Sequence, residues 1–216
     1  MTIPVIHHES GWLAVDKPFG VSVHNNEEPE HLLARLEREL RLEKLYPVHR
    51  LDKETSGVQV LALNENAAKE LAGEFQKRTV QKIYLGVLRG KLKEAQGVWN
   101  QALTDKAEGR NNPAGISRER IPCETRYRTL KDSKYFSLCE FELITGRQHQ
   151  IRKHSALTNH ALVGDPRYGD KSYNEKIAGL YGTSRMFLHC ARIVLLGKTL
   201  EAAEPPEFQA LVLKNG

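Results

Sequence analysis

An α+β fold is what these 216 residues predict, and three observations carry it. Stretches of strand length and composition recur at 12–15, 58–63, 82–89, 123–129 and 134–143, with Gly, Pro, Asn or Asp near their ends. Two intervening stretches instead repeat their apolar residues at helical spacing. A hydrophobic content of 40% over this length is enough to bury a proper core, so one domain covering 1–216 is expected.

Taken in order, Trp12-Leu13-Ala14-Val15 reads as a first strand, and Asp16-Lys17-Pro18-Phe19-Gly20 punctuates it with turn residues. Val21 to His24 reads as a second short strand. Between Pro29 and Leu45, Leu32, Leu33, Leu36 and Leu40 make one face of a helix whose surroundings are rich in glutamate, so this helix is expected to face away from any polyanion. The run from Val58 to Leu63 is a strand. Asn64 is placed to cap the helix after it, with a stripe of Ala67, Ala68, Leu71, Ala72 and Phe75, and with Lys77 and Arg78 at the negative end of its dipole. In Lys82 to Arg89, alternation sets Ile83, Leu85 and Val87 on one face and Tyr84 with Lys82 on the other. Residues 99–122 show no sustained period, and the stretch from Asp105 to Gly115 is polar and glycine-bearing, so a long mobile loop is expected there. Strands follow at 123–129 and 134–143. Thr145 and Gln148 have the spacing of a capping box, which predicts a helix opening at Thr145 with free amides able to meet a phosphate.

The formal charge is +5, from 32 Lys and Arg against 27 Asp and Glu. Between Thr145 and Arg192 stand Arg147, Arg152, Lys153, Arg167, Lys171, Lys176, Arg185 and Arg192 against Asp165, Asp170 and Glu175, so this one segment holds the whole excess. A basic segment of that kind suits a polyanionic partner. Cys123, Cys139 and Cys190 are odd in number and lie in strand-like contexts, which predicts reduced core thiols and a cytoplasmic protein. No run approaches the length of a membrane span, and no membrane association is expected. His149, His154, His160 and His189 have no acidic or thiolate partner at a ligand spacing, so no metal is expected.

The chemistry-bearing stretch is His49-Arg50-Leu51-Asp52-Lys53-Glu54-Thr55-Ser56-Gly57, a charged loop that runs straight into the apolar strand at Val58. A carboxylate at the mouth of a buried strand is rigidly held and can do chemistry, although on this stretch alone an ordinary ion pair with Arg50 or Lys53 explains Asp52 as well. His49-Arg50-Leu51-Asp52 with Thr55-Ser56-Gly57 resembles the catalytic motif of the RluA-type pseudouridine synthases. Three further stretches are similar to that family in the same order: Lys82-x-Tyr84, Leu143 to His154, and Gly164-Asp165-x-x-Tyr168-Gly169. Lys17-Pro18-x-Gly20 resembles its opening motif, and Met186 to Leu196 its closing strand. Where the family usually has Gly-His-Pro, this chain has Asn159-His160-Ala161, so His160 receives no role.

The resemblance implies a mixed, largely antiparallel sheet flanked by helices, and an enzyme that isomerises a uridine of ribosomal RNA or tRNA without a cofactor. It makes Asp52 the catalytic carboxylate, acting as nucleophile or as base, with Arg152 as its ion-pair partner and Arg147 on phosphate. Tyr84 is to stack on the flipped uracil, removal of the C5 proton being a further role open to its phenol, with Ile151 as an apolar floor. Arg50 is to enter the space vacated in the RNA, and His49, Thr55, His149 and Gln150 complete the expected RNA contacts. With Trp12 already in the opening strand, no additional N-terminal RNA-binding domain is expected, and monomer is the default. Two other classes stay open on the residues: an RNA-binding module without catalysis, and a carboxylate-dependent hydrolase, which requires a second acid.

Overall fold

The computed structural model describes residues 2–25, 27–117 and 119–214. In chain order the elements are β1 (Val5–Glu9), β2 (Trp12–Lys17), α1 (Leu32–Leu40), β3 (Tyr46–Pro47), β4 (Ser56–Ala62), α2 (Glu65–Lys77), β5 (Gln81–Arg89), β6 (Gln96–Trp99), β7 (Thr125–Asp132), β8 (Phe136–Leu143), α3 (Gln150–Leu157), α4 (Lys171–Tyr181), β9 (Leu188–Leu195), β10 (Lys198–Glu201) and α5 (Pro206–Leu213). The ten strands form a mixed, mostly antiparallel sheet, as the family resemblance implies. The chain divides into two compact units, 1–82 with 190–203, and 83–189 with 204–216.

In the first unit β4 is the organising strand, because all seven of its residues are buried. It pairs antiparallel with β2 from Trp12↔Ala62 to Lys17↔Gly57 and with the short β3, while β1 covers the far edge of β2. Gly57 is required where it stands: its φ is +108°, and a Cβ there would collide with the backbone of Cys190. Asn64 caps α2 as expected, its Oδ1 accepting the Ala67 N–H at 2.9 Å. One expectation fails here. Val21 to His24 forms no strand; instead the Ser22 and Val23 carbonyls accept the N–H groups of Leu32 and Leu33, satisfying two of the amides that the first turn of α1 leaves orphaned. The helix itself spans the whole leucine stripe and ends where Arg41 turns left-handed (φ 54°).

In the second unit β8 is central, antiparallel to β5 from Ile83↔Glu142 to Arg89↔Phe136 and to β7 on its other side, with β6 outside β7. Residues Ile83 to Leu88 of β5 are all buried, so the two faces predicted to differ do not: both are covered. The Phe187 ring packs on Phe208 of α5 at 5.1 Å between centroids. The 99–122 loop is irregular but anchored. Leu103 and Ile121 bridge its two limbs, and Leu103, Ala114 and Cys123 pack into a small core of their own. Its first limb is tied down by Lys153, fully buried on α3, whose Nζ donates to the carbonyls of Thr104 (2.7 Å) and Lys106 (2.6 Å).

None of the three cysteines is in a disulfide, and all are buried. Among the described residues no helix is long and apolar enough to cross a membrane, and no cluster of His, Cys, Asp and Glu is arranged to hold a metal ion.

Candidate active site

The first unit carries the Asp52 loop, which is built from the strand beneath it. Gln59 of β4, fully buried, accepts the Leu51 N–H and donates to the His49 carbonyl at 2.8 Å, so one side chain holds the residues on either side of Arg50. His49 Nε2 accepts the Val60 N–H at 2.9 Å, and its ring stacks on Phe75 with centroids 4.8 Å apart. An imidazole nitrogen that accepts a backbone N–H is unprotonated, and burial together with the nearby Lys82 cation pushes the His49 pKa down to about 3. His49 is therefore a neutral strut under the loop. Arg50 is exposed, Asp52 partly buried and Thr55 buried, and the Thr55 N–H closes a turn onto the Asp52 carbonyl at 3.0 Å.

A second support comes from Lys17. The side chain is fully buried, and its ammonium donates to the carbonyls of Val21 (2.7 Å), Pro18 (3.1 Å) and Lys53 (3.3 Å). The Gly20 N–H donates to the same Lys53 carbonyl, so the Lys17 to Gly20 turn is stapled to the residue that follows Asp52. Lys53 itself reaches Glu28 at 2.6 Å. Lys17 is thus a buried brace under a turn that is itself exposed at Phe19 and Gly20, and neither Lys17 nor Gln59 stood out in the sequence as a site residue.

The second unit carries Tyr84 and the segment from Arg147 to His154. Tyr84 lies on β5 opposite Phe141 and is buried. The capping box fails. The helix starts at Gln150, five residues after Thr145, because His149 adopts a left-handed conformation (φ 56°) just before it. Thr145 Oγ1 is used otherwise, accepting the Glu124 N–H and donating to Gln150 Oε1 at 2.7 Å. Gln150 Oε1 also accepts the Arg147 N–H, and its Nε2 donates to the Glu124 carbonyl and Thr125 Oγ1, so this buried amide knits the motif to β7. The helix is interior: every residue from Gln150 to Ser155 is buried. His154 sits between Thr125 Oγ1 and the Gln101 carbonyl, both at 3.0 Å, and burial chiefly lowers its pKa.

Buried cations need fixed partners, and Arg152 has one in Asp165. Nε donates to Oδ2 at 2.8 Å and Nη2 to Oδ1 at 2.9 Å, with both side chains at most 2% exposed. Asp165 is held in turn by the N–H groups of Arg167 and Tyr168 on Oδ1. The guanidinium lies 5.4 Å from the centre of the Tyr168 ring, and the Tyr168 hydroxyl is 3.0 Å from His149 Nδ1. Arg152, Asp165, Tyr168 and His149 therefore form one cluster, with Ile151 buried beside Arg152 in sequence. The sequence signal for Asp165 and Tyr168 was the Gly-Asp-x-x-Tyr-Gly turn; its function as the holder of Arg152 needed the structure. Arg147 lies before the helix, its Nη1 3.8 Å from Asp105.

Comparison with known proteins agrees with these motifs. The RNA pseudouridylate synthase family model matches residues 11–157. The ribosomal large subunit pseudouridine synthase C of Vibrio parahaemolyticus is 34% identical over 194 residues, covering 88% of this chain and 60% of that protein. The tRNA pseudouridine synthase C of Pasteurella multocida is 31% identical over 212 residues, 90% of this chain and 86% of that one. Among solved structures, human RNA Pseudouridylate Synthase Domain Containing 1 superposes with a TM-score of 0.78 at 25% identity, over 97% of this chain and 87% of the other. The chain spans 60–64% of the length of the Vibrio large-subunit enzymes it matches. On the match from residue 11 to 157, with the motifs that fall inside it, the chain belongs to the RNA pseudouridylate synthase family.

Proposed function

We propose that the chain isomerises a specific uridine of structured ribosomal RNA or tRNA to pseudouridine, with Asp52 as the catalytic carboxylate. The reaction breaks the N1 to C1′ glycosidic bond, turns the base and rejoins it through C5 to C1′, so nothing is oxidised and no energy carrier is consumed. The uridine must first leave its stack, at a cost of a few kcal/mol that contacts in the pocket have to return. An unpaired or bulged uridine is the natural target, because duplex RNA hides its bases.

Asp52 acts ionised, as nucleophile at carbon or as base toward the sugar. A carboxylate taken out of water stays charged when a guanidinium lies beside it, and that is the role proposed for Arg152. Tyr84 stacks on the turned uracil, and its buried position on β5 suits an apolar base face. Arg50, exposed on the loop, is suited to enter the gap left in the RNA.

The observation that carries this reading is the span of the family match: residues 11–157 contain Asp52, Tyr84 and Arg152 together. The test incubates the full chain with unmodified transcripts of large-subunit ribosomal RNA and of bulk tRNA, then maps pseudouridine. Wild type is expected to modify one position, and Asp52→Asn none while still binding RNA. An Asp52→Asn chain that isomerises at the wild-type rate overturns the assignment. Release of free uracil or cleaved RNA instead of pseudouridine would identify a hydrolase.

A further inference from the structure

The second unit holds a groove of about 470 Å³ that the Asp52 and Arg152 motifs do not use. It lies between the end of β5, the Lys134 to Phe136 turn and the C-terminal half of α4. Its floor is apolar and partly open, with Tyr135 53% and Leu180 64% exposed and Tyr181 set edge-on against Phe136. Large apolar side chains left this open call for an explanation. The rim is cationic: Arg89, Lys134 and Lys176 line the groove and, among the described residues, no carboxylate does. Arg89 is fixed over the Tyr173 ring at 4.4 Å, and Lys134 lies 5.4 Å from the ring centre of Tyr135.

The groove is also placed to continue a path from the Arg152 cluster. Tyr168, which stands under Arg152, lines a smaller cavity of about 160 Å³ together with Arg89 and Tyr173, and these last two line the groove as well. In the smaller cavity the one carboxylate, Asp170, is taken by Arg110 at 2.6 Å and caps α4 through the Tyr173 N–H.

We propose that this groove binds an unpaired nucleotide flanking the target uridine, its base against Tyr135, Leu180 and Tyr181 and its phosphates against Lys134, Lys176 and Arg89. Aromatic faces interleaved with cations are the combination that holds single-stranded nucleic acid without reading its sequence. An acidic peptide would meet the same cations, and what favours a nucleotide here is the match to a family that acts on RNA. The inference rests on RNA being the substrate.

The experiment uses the full chain and a fluorescein-labelled twelve-nucleotide oligouridylate, titrated at several salt concentrations, beside the pseudouridine assay on the ribosomal and transfer RNA transcripts. Lys134→Glu with Lys176→Glu is expected to weaken binding at least tenfold and to make the slope of log affinity against log salt shallower by about 1.4, two phosphate contacts in a single strand. Tyr135→Ala is expected to weaken binding about five- to tenfold with little change in slope, and Tyr135→Phe to bind within about twofold of wild type. All three positions are exposed, and circular dichroism checks that each variant folds. Wild-type affinity and slope in the charge-reversed variant overturn the inference, as does a wild-type chain that forms pseudouridine yet does not bind the oligouridylate. Failure of the enzymatic reading shows separately, as binding that depends on these residues in a chain that forms no pseudouridine in either transcript.

Discussion

Replacing Asp165 by Asn tests the structural idea on which the proposed chemistry leans most, that Arg152 is aimed by a buried carboxylate. The substitution keeps the shape, and the new amide oxygen can still accept the Arg167 and Tyr168 N–H groups now on Oδ1. It also turns an amide N–H₂ toward the Arg152 Nε–H, donor against donor, where a 2.8 Å bond to Oδ2 stands. A guanidinium at most 2% exposed then loses the carboxylate that holds it in two hydrogen bonds, and breaking a buried pair in this way costs about 3–5 kcal/mol. Against a total of about 5–15 kcal/mol for a domain, the variant should still fold, with its urea midpoint lowered by roughly 1.5–2.5 M at a slope near 2 kcal/mol/M. Pseudouridine formation should fall further than the loss of folded protein explains, because the guanidinium is no longer held in one orientation. A second variant separates the two effects: Arg152→Met with Asp165→Asn removes the buried guanidinium that faces the new amide, so much of the stability should return while activity does not. A loss below about 1 kcal/mol in Asp165→Asn refutes the buried-pair reasoning. Recovery of activity in the double variant refutes the role given to Arg152.

Three further outcomes follow from the braces around the site. Lys17→Met keeps the aliphatic stem but leaves the Val21, Pro18 and Lys53 carbonyls short of a donor, and is expected to destabilise by about 2–4 kcal/mol in urea denaturation and to lower turnover more than RNA affinity. His49 has its folded pKa depressed to about 3, so the unfolded chain binds its proton first as pH falls. The stability it contributes is intact above about pH 6.5 and drains away below it, by up to about 1.4 kcal/mol per pH unit. His49→Gln should flatten that part of the stability curve between pH 6.5 and 4. Lys153→Met releases the Thr104 and Lys106 carbonyls, and trypsin should then cut after Lys106 or Arg110 at least about ten times faster than in wild type, with the sheet intact.

What the sequence made legible was whatever has a local period or a contiguous motif. The α2 stripe with its Asn64 cap is a property of fourteen neighbouring residues, and the structure has the helix there. The strands β2, β4, β5 and β8 likewise announce themselves by composition or alternation, whereas β9 was legible only through its resemblance to the family's closing strand. The errors arose where a distant partner decides the outcome. Thr145 and Gln148 have capping-box spacing, yet the Thr145 hydroxyl is claimed by Glu124 and Gln150, and a left-handed His149 delays the helix. Lys17, Gln59 and Lys153 look like surface residues in any local window; each is buried because its polar end meets backbone carbonyls, and for Gln59 an N–H as well, that no sequence window brings together. Short strands such as β3 and β10 carry too few residues to show a period at all.

The same burial revises what the charge count means for binding. Of the eight cations between residues 145 and 192 that hold the chain's net excess, Arg152 and Lys153 are inside, and Arg185 is 13% exposed and paired with Glu207 at 2.6 Å. Arg167 is spent on the carbonyls of Ala107 and Glu108, and Arg192 lies 3.6 Å from Glu201. A segment that looks like an RNA face therefore spends part of its charge on braces, and the two buried cations release no counterions when a polyanion docks. Phosphate contacts must be sought among the exposed cations instead, Arg50 on the loop and Arg89, Lys134 and Lys176 around the aromatic groove. Neutralising an interior cation should then change stability or turnover while leaving the salt dependence of RNA binding alone. Neutralising an exposed one should do the reverse, which makes the salt slope the measurement that tells a brace from a contact.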